Sequence, residues 1–215
     1  MRSICSRPRW EILSSIALVV VWAVAVQTCS KTESGMTKFH AQNISGVMPA
    51  LEFNLTKGTA ISAADLRGKT TLLYFGYTHC PYICPATLAH LAETLTLLGP
   101  RAESVRVLFV SVDPRRDSPE ALRRFASSFG PQFIGLTGTD EQLTALTKRY
   151  RVAFRRDEPD KDGNYAVYHS SAVFVFDREG KARLLVTTSE TDEQLAEDLV
   201  SCDDLTKTIN ERGRP

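Results

Sequence analysis

The chain has 215 residues, of which 43% are hydrophobic and 24% are charged, so it can bury the core of one ordinary domain and is not composed like a disordered chain. Its formal net charge is +1, with no basic stripe, which argues against nucleic acid as a partner because Lys and Arg supply most of the affinity for phosphates. Five cysteines are too few for a disulfide-stapled scaffold of this size, so each needs its own explanation.

The first residues differ from the rest of the chain. Arg2, Arg7 and Arg9 precede an apolar stretch over 12–26, and this order predicts an export signal whose basic end stays in the cytoplasm. As a helix the stretch would span about 22 Å, less than the roughly 30 Å of a hydrocarbon core. A cleaved signal and a retained membrane helix therefore both stay open.

Two processing sites compete within this segment. Val26-Gln27-Thr28-Cys29 is similar to a lipobox, in which Cys29 would carry lipid, whereas Ala23-Val24-Ala25 suits ordinary signal peptidase. We expect residues 1–29 to be an export signal, a lipoprotein signal or a membrane anchor. The rest of the chain is then extracytoplasmic and membrane-tethered, on the periplasmic side of a bacterial inner membrane or in the cell envelope.

The following segment is predicted to be a linker over 30–50, because it is polar and contains Gly35, Gly46 and Pro49 without a sustained period. Beyond it, apolar patterning predicts alternating strands and helices. The predicted strands are 51–55, 71–77, 105–112, 172–176 and 184–188, and the predicted helices are 85–98 and three that open at Ser118, Thr139 and Thr191.

Capping residues mark the three later helix starts. Ser118 is followed by Pro119 at the first helical position, while Thr139 with Gln142 and Thr191 with Gln194 have capping-box spacing. The order of elements predicts an α/β sandwich with a mixed central sheet flanked by helices. We expect one domain over 51–205 and a C-terminal tail over 206–215.

Cys80-Pro81-Tyr82-Ile83-Cys84-Pro85 stands where a buried strand is predicted to end and a helix to begin. The positive end of a helix stabilises thiolate, which predicts a lowered thiol pKa. Cysteines four apart at a helix start are within disulfide range and can also share a soft metal ion. A purely structural disulfide is the alternative, but it would close only a short loop and so would stabilise the fold little.

The histidines divide by position. His40 falls in the predicted linker and His90 in a helix, and we expect surface or packing roles for both. His79 adjoins Cys80, so a role in tuning that thiol stays open, although the side chain of an adjacent residue usually points away. His169 precedes a predicted hairpin strand, where a histidine taken alone is more often structural than a ligand.

Three blocks of this sequence together resemble the Sco (SenC/PrrC) family. They are the segment 75–85 around Cys80 and Cys84, Val110-Ser111-Val112-Asp113-Pro114-Arg115-Arg116-Asp117-Ser118-Pro119, and His169-Ser170 followed by a strand, Asp177 and Gly180. The similarity runs from about Leu51 to Leu199.

The resemblance implies a thioredoxin-like fold and a copper-binding site with Cys80, Cys84 and His169 as the metal ligands. It also implies a role in assembling the dinuclear copper centre of cytochrome c oxidase, with a copper-receiving oxidase subunit, or another thiol or copper protein, as partner. The donor types agree, because two thiolates suit soft Cu(I) and imidazole suits copper. The family usually carries Asp where Tyr82 stands, and often Asp before the histidine, where Tyr168 stands.

Two functions from different classes remain open. A copper chaperone uses all three residues, whereas a thiol–disulfide oxidoreductase needs only the pair Cys80 and Cys84, which we expect to form a disulfide reversibly. Whether the protein is an enzyme therefore stays open. A thiol peroxidase is a third alternative, but neither cysteine lies in a recognisable peroxidatic motif. Cys202, in the last predicted helix, is expected to be a buried, inert thiol.

Overall fold

The computed structural model describes residues 38–162, 164–187 and 189–212, with side chains up to residue 204. The predicted leader 1–29, Cys29 and the first part of the predicted linker lie outside these residues. Within the described part of the chain, no helix has both the length and the hydropathy needed to cross a membrane.

A mixed sheet of six strands forms the centre of the fold, and its strands lie side by side in the order 42–43, 182–186, 173–176, 70–76, 105–111 and 133–136. The strands, in chain order, are β1 Gln42–Asn43, β2 Asn54–Thr56, β3 Ala60–Ser62, β4 Thr70–Gly76, β5 Val105–Ser111, β6 Phe133–Leu136, β7 Phe154–Arg156, β8 Val167–His169, β9 Val173–Phe176 and β10 Ala182–Val186. The helices are α1 Ile83–Leu98, α2 Pro119–Ser127, α3 Asp140–Arg149 and α4 Asp192–Arg212, with 3-10 turns at Ala63–Leu66 and Gly99–Ser104.

The two central strands explain the apolar runs of the sequence. Every residue of β4 is buried, and β5 is buried except for Arg106, because both faces of this part of the sheet are covered. β4 and β5 pair in parallel from Thr70↔Val105 to Gly76↔Ser111, and β9 pairs antiparallel with the other edge of β4. The predicted α/β sandwich with a mixed sheet and flanking helices is confirmed.

The predicted helix starts are also present. Ser118 accepts a hydrogen bond from the backbone N–H of Ala121, with Pro119 at the first helical position. The capping box of Thr139 and Gln142 is formed, and Thr191 and Gln194 exchange the equivalent pair of hydrogen bonds before α4. Local hydrogen-bonding chemistry alone therefore located these helix starts.

Short strands account for the differences from the predicted elements. The strand predicted over 51–55 begins only at Asn54, and the three- or four-residue strands β3, β6, β7 and β8 were not predicted. Elements of this length contain too few residues to display a period. The hairpin predicted over 172–176 and 184–188 is formed by β9 and β10, although residue 188 lies outside the described residues.

Both ends of the predicted domain adjoin regular structure. Gln42–Asn43 pairs with β10, and Ala41 and Ile44 are buried, so part of the segment predicted to be a linker lies along the sheet edge. At the other end, α4 continues to Arg212, into the segment predicted to be a tail. The boundaries at 50 and 205 stay predictions.

Candidate metal centre

Both cysteines of the predicted site lie at the junction of β4 and α1. β4 ends at Gly76, and α1 begins at Ile83, which places Cys84 in the first helical turn. The Cys84 side chain is fully buried, while Cys80 in the preceding loop is partly exposed. The backbone N–H of Cys84 donates to the Cys80 sulfur over 3.4 Å, so one of the unpaired N–H groups at the helix start faces a thiol.

His169 reaches this junction from a separate small sheet. It ends β8, where it pairs with Phe154 of β7, and its Nε2 lies 3.3 Å from the Cys84 Sγ. Its Nδ1 lies 2.9 Å from the carbonyl oxygen of Ser170. Because a carbonyl oxygen only accepts, we assign the proton to Nδ1, which leaves the Nε2 lone pair directed at the cysteines.

The three predicted residues therefore converge. The two Sγ atoms and one imidazole nitrogen lie within 4.8 Å of one another. Among the residues that the structure describes, this is the one group of three Cys, His, Asp or Glu side chains close enough to hold a metal ion. The donor set is soft sulfur and borderline nitrogen, which suits copper and zinc better than magnesium or calcium.

Burial controls the protonation of the site. It raises the pKa of the Cys84 thiol to about 12. The prediction of a lowered thiol pKa is thus wrong for Cys84, because desolvation of the thiolate outweighs the field of the helix start. Burial lowers the pKa of His169, so its imidazole is neutral near pH 7 and its lone pair is available to a metal.

Two tyrosines confine the imidazole. The rings of Tyr77 and Tyr74 meet the ring of His169 edge-on, with centroids 5.9 and 6.1 Å away. Tyr74 is fully buried on β4, and Tyr77 directly follows that strand. The apolar run of β4 indicated that these side chains are buried but gave no sign that they pack on a histidine more than 90 positions further along the chain.

Gly76 is a site residue that the sequence reasoning missed. A Cβ atom at this position would lie 2.5 Å from Cε2 of Phe109 and 2.9 Å from the Sγ of Cys84. Glycine is required here by lack of space, because the strand end packs directly against a candidate ligand. The sequence did contain a signal for this role, because Gly76 directly precedes the loop that carries Cys80.

The rim of the site is aromatic. Tyr82 is 79% exposed and Tyr168 is 54% exposed, and both border a shallow cavity of about 250 Å³ beside Cys80 and His169. The guanidinium of Arg155 lies 4.6 Å above the Tyr168 ring. The two positions at which the family resemblance led us to expect Asp therefore lie on the surface next to the site.

The remaining histidines and Cys202 lie apart from the three-residue group. His79 is exposed, with its Nδ1 3.6 Å from the carboxylate of Asp117, and His40 contacts Glu197. His90 of α1 pairs with Asp192 at the start of α4. Cys202 is buried in α4 as predicted, and burial raises its pKa to about 12.

The difference in exposure predicts an order of thiol reactivity. Iodoacetamide at pH 7 should modify Cys80 about one hundred times faster than Cys84, because Cys84 is buried and its thiolate is scarce. Timed quenching followed by peptide mass spectrometry measures both rates. Unfolded protein is the control, in which the two rates should become similar. Equal rates in the folded protein would contradict the burial of Cys84.

The fold and the site together define a class: a thioredoxin-like protein with two cysteines and one histidine gathered at a strand–helix junction. The SCO1/SenC family model matches residues 42–202. The chain belongs to the SCO1/SenC family, as the sequence blocks indicated.

Curated relatives agree with this assignment. The chain is 32% identical over 161 residues to a SCO2-like protein of Rickettsia felis, covering 74% of this chain and 77% of that protein. It is 36% identical over 143 residues to the mitochondrial SCO2 homolog of Homo sapiens, covering 66% of this chain and 54% of that protein.

Solved structures are similar over most of the domain. The structure of Bradyrhizobium japonicum ScoI with copper bound has 37% sequence identity and a TM-score of 0.65, and the match covers 71% of this chain and 98% of that one. Apo Sco1 from Thermus thermophilus has 32% identity and a TM-score of 0.69, with 78% and 98% covered.

Proposed function

We propose that this protein binds a copper ion through Cys80, Cys84 and His169 and delivers it during assembly of the copper centre of cytochrome c oxidase. The observation that carries the proposal is the convergence of two sulfurs and one imidazole nitrogen within 4.8 Å. The similar ScoI structure, 37% identical, holds copper. In the proposed reaction copper is cargo, which the protein accepts and passes on.

The chemistry of the donors supports copper. Thiolates are soft ligands and select Cu(I), and a neutral imidazole adds a donor that copper accepts well. The Cys84 thiol is protonated near pH 7 because burial raises its pKa to about 12, so a copper ion that binds there displaces the thiol proton. The partly exposed Cys80 leaves one side of the site open, which suits the transfer of copper to an incoming ligand.

The proposed partner is the copper-receiving subunit of cytochrome c oxidase or another thiol or copper protein. The proposed location is extracytoplasmic, with the chain tethered to the membrane by its leader. The basic flank and apolar stretch of residues 1–29 support both the export and the tether. Lipidation at Cys29 is one form that this tether can take.

A second candidate function is thiol–disulfide exchange by Cys80 and Cys84. Both are free thiols, Cys80 is accessible, and its sulfur accepts a hydrogen bond from the Cys84 backbone at the start of α1. In this reaction the Cys80 thiolate attacks a disulfide, and Cys84 then closes the internal disulfide. The two thiols lose two electrons and two protons as the substrate disulfide is reduced.

Copper titration of the reduced protein tests the first function. Wild type should bind one copper ion, and Cys80→Ala, Cys84→Ala and His169→Ala should each lose tight binding, seen by metal analysis and by the thiolate-to-copper absorption bands. His40→Ala is the matched control, because the His40 side chain contacts Glu197 and lies outside the three-residue group, and it should bind like wild type.

Two results would decide between the candidates. Unchanged stoichiometry and spectrum in His169→Ala would remove that residue from the site and contradict the copper proposal. A His169→Ala variant that loses copper but still reduces oxidised glutathione at the wild-type rate would show that the cysteine pair also performs exchange on its own.

A further inference from the structure

The loop that joins β5 to α2, residues 112–118, contains two buried carboxylates. Asp113 is 0% exposed and Asp117 is 1% exposed. A buried carboxylate is costly unless several hydrogen bonds satisfy it. The hydrogen-bond partners of the two aspartates show which segments of the chain the loop binds.

Asp117 binds the segment that carries Cys80. Its Oδ2 accepts from the backbone N–H of Thr78 over 2.9 Å, and its Oδ1 accepts from the Thr78 hydroxyl over 2.5 Å. The Ser111 hydroxyl donates to the same carboxylate over 2.6 Å. Thr78 lies two residues before Cys80, so these bonds fix the first part of the loop between β4 and α1.

Asp113 binds the segment that carries His169. Its Oδ1 accepts from the Tyr165 hydroxyl over 2.5 Å, and its Oδ2 accepts from Nε of Arg116 over 2.5 Å. The Arg116 guanidinium lies 3.7 Å above the Tyr165 ring and donates to the Tyr165 carbonyl over 3.1 Å. Tyr165 is therefore held at its ring, its hydroxyl and its backbone, four residues before His169.

The two anchors are themselves connected. The backbone N–H of Asp113 donates to the Ser111 hydroxyl over 3.0 Å, and that hydroxyl donates to Asp117. The backbone N–H of Asp117 donates to the carbonyl of Asp113 over 3.0 Å. One short loop thus makes charge-assisted hydrogen bonds to both ligand-carrying segments, and such bonds are about twice as strong as neutral ones.

We propose that the loop 112–118 positions the two halves of the site relative to each other, with Asp117 setting the cysteine segment and Asp113, through Tyr165 and Arg116, setting the histidine segment. Asp113, Asp117, Arg116, Tyr165 and Thr78 are positioning residues. The inference rests on the proposed function for the identity of the cargo, whereas the positioning itself is measurable without any metal.

Two conservative variants test the histidine segment and the cysteine segment separately. Tyr165→Phe removes only the hydroxyl that Asp113 accepts from, and Thr78→Val removes only the hydroxyl that Asp117 accepts from. In the metal-free protein, diethyl pyrocarbonate reports on His169 and iodoacetamide on Cys80, each resolved by peptide mass spectrometry. Tyr165→Phe should raise the His169 rate about fivefold and leave Cys80 unchanged, because reactivity follows the population of the locally opened segment. Thr78→Val should raise the Cys80 rate about fivefold and leave the His169 rate unchanged.

Matched controls exist elsewhere in the fold. The Tyr150 hydroxyl donates to the Ala50 carbonyl, and the buried Thr147 hydroxyl donates to the Leu143 carbonyl, both apart from the site. Tyr150→Phe and Thr147→Val should therefore leave both reagent rates at the wild-type value. Rates at His169 and Cys80 that rise together in Tyr165→Phe, or that do not change at all, would overturn the proposal.

Copper supplies the second readout. Tyr165→Phe should weaken copper affinity about tenfold and move the absorption spectrum toward that of His169→Ala, because residues that orient metal ligands typically change affinity by about 10- to 100-fold. A wild-type protein that binds no copper would contradict the proposed function, while the reagent rates would still decide the positioning. If wild type binds copper, an unchanged copper affinity and an unchanged absorption spectrum in Tyr165→Phe would overturn the positioning proposal.

Discussion

Replacing Gly76 by alanine should abolish tight copper binding and destabilise the fold by about 1–3 kcal/mol. The new methyl group would lie 2.9 Å from the Cys84 Sγ and 2.5 Å from the Phe109 ring. Phe109 is fully buried on β5, so the strain reaches the cysteine as well as the core. Copper titration and urea unfolding of the same preparation measure the two effects.

Gly135→Ala is the matched control for this change. A Cβ at Gly135, on β6, would lie 2.5 Å from the backbone carbonyl oxygen of Leu122, so this variant should lose comparable or greater stability without touching the site. The folded fraction of Gly135→Ala should retain copper binding. Copper affinity in Gly76→Ala equal to that of wild type would show that Cys84 tolerates displacement and would contradict the packing argument.

Oxidation of the protein should remove Cu(I) binding completely. A disulfide between Cys80 and Cys84 converts both thiols into sulfurs that are no longer thiolate ligands. The two sulfurs already lie within 4.8 Å, and closing the bond requires them to approach to about 2.05 Å. Thiol counting before and after oxidation should show the loss of two thiols, and Cu(I) titration should show the loss of the bound ion.

Reduction should restore both values. His169→Ala controls for the role of the histidine, because it should lose two thiols on oxidation like wild type although it binds copper weakly when reduced. Full Cu(I) binding by the oxidised protein would contradict the assignment of the two cysteines as ligands.

The sequence predicted the parts of this site whose causes are local. The apolar run that became β4, the prolines around Cys84 and the caps at Ser118 and Thr139 each act within a few residues, so the strand–helix junction was predictable from physical chemistry. The role of His169 came from family resemblance. Its distance of 85 residues from Cys84, and its place in a strand of three residues, left no periodic signal that could join the two.

The effect of burial on ionisation was the property that the sequence predicted least well. The position of Cys84 in a first helical turn argued for a low thiol pKa, but burial of the sulfur reverses the direction. Desolvation depends on neighbours from other elements, which a local pattern does not contain. The same holds for Asp113, whose partner Tyr165 lies 52 residues away.

His169 is carried by β7 and β8, a two-stranded sheet that shares no ladder with the six-stranded one. An ion bound by His169 and Cys84 would therefore cross-link the two-stranded sheet to α1. Loading would raise the melting temperature by mass action, to the extent that the folded state alone binds the ion. Delivery of the copper ion would then remove this cross-link, so the protein would have a lower melting temperature after delivery than before it.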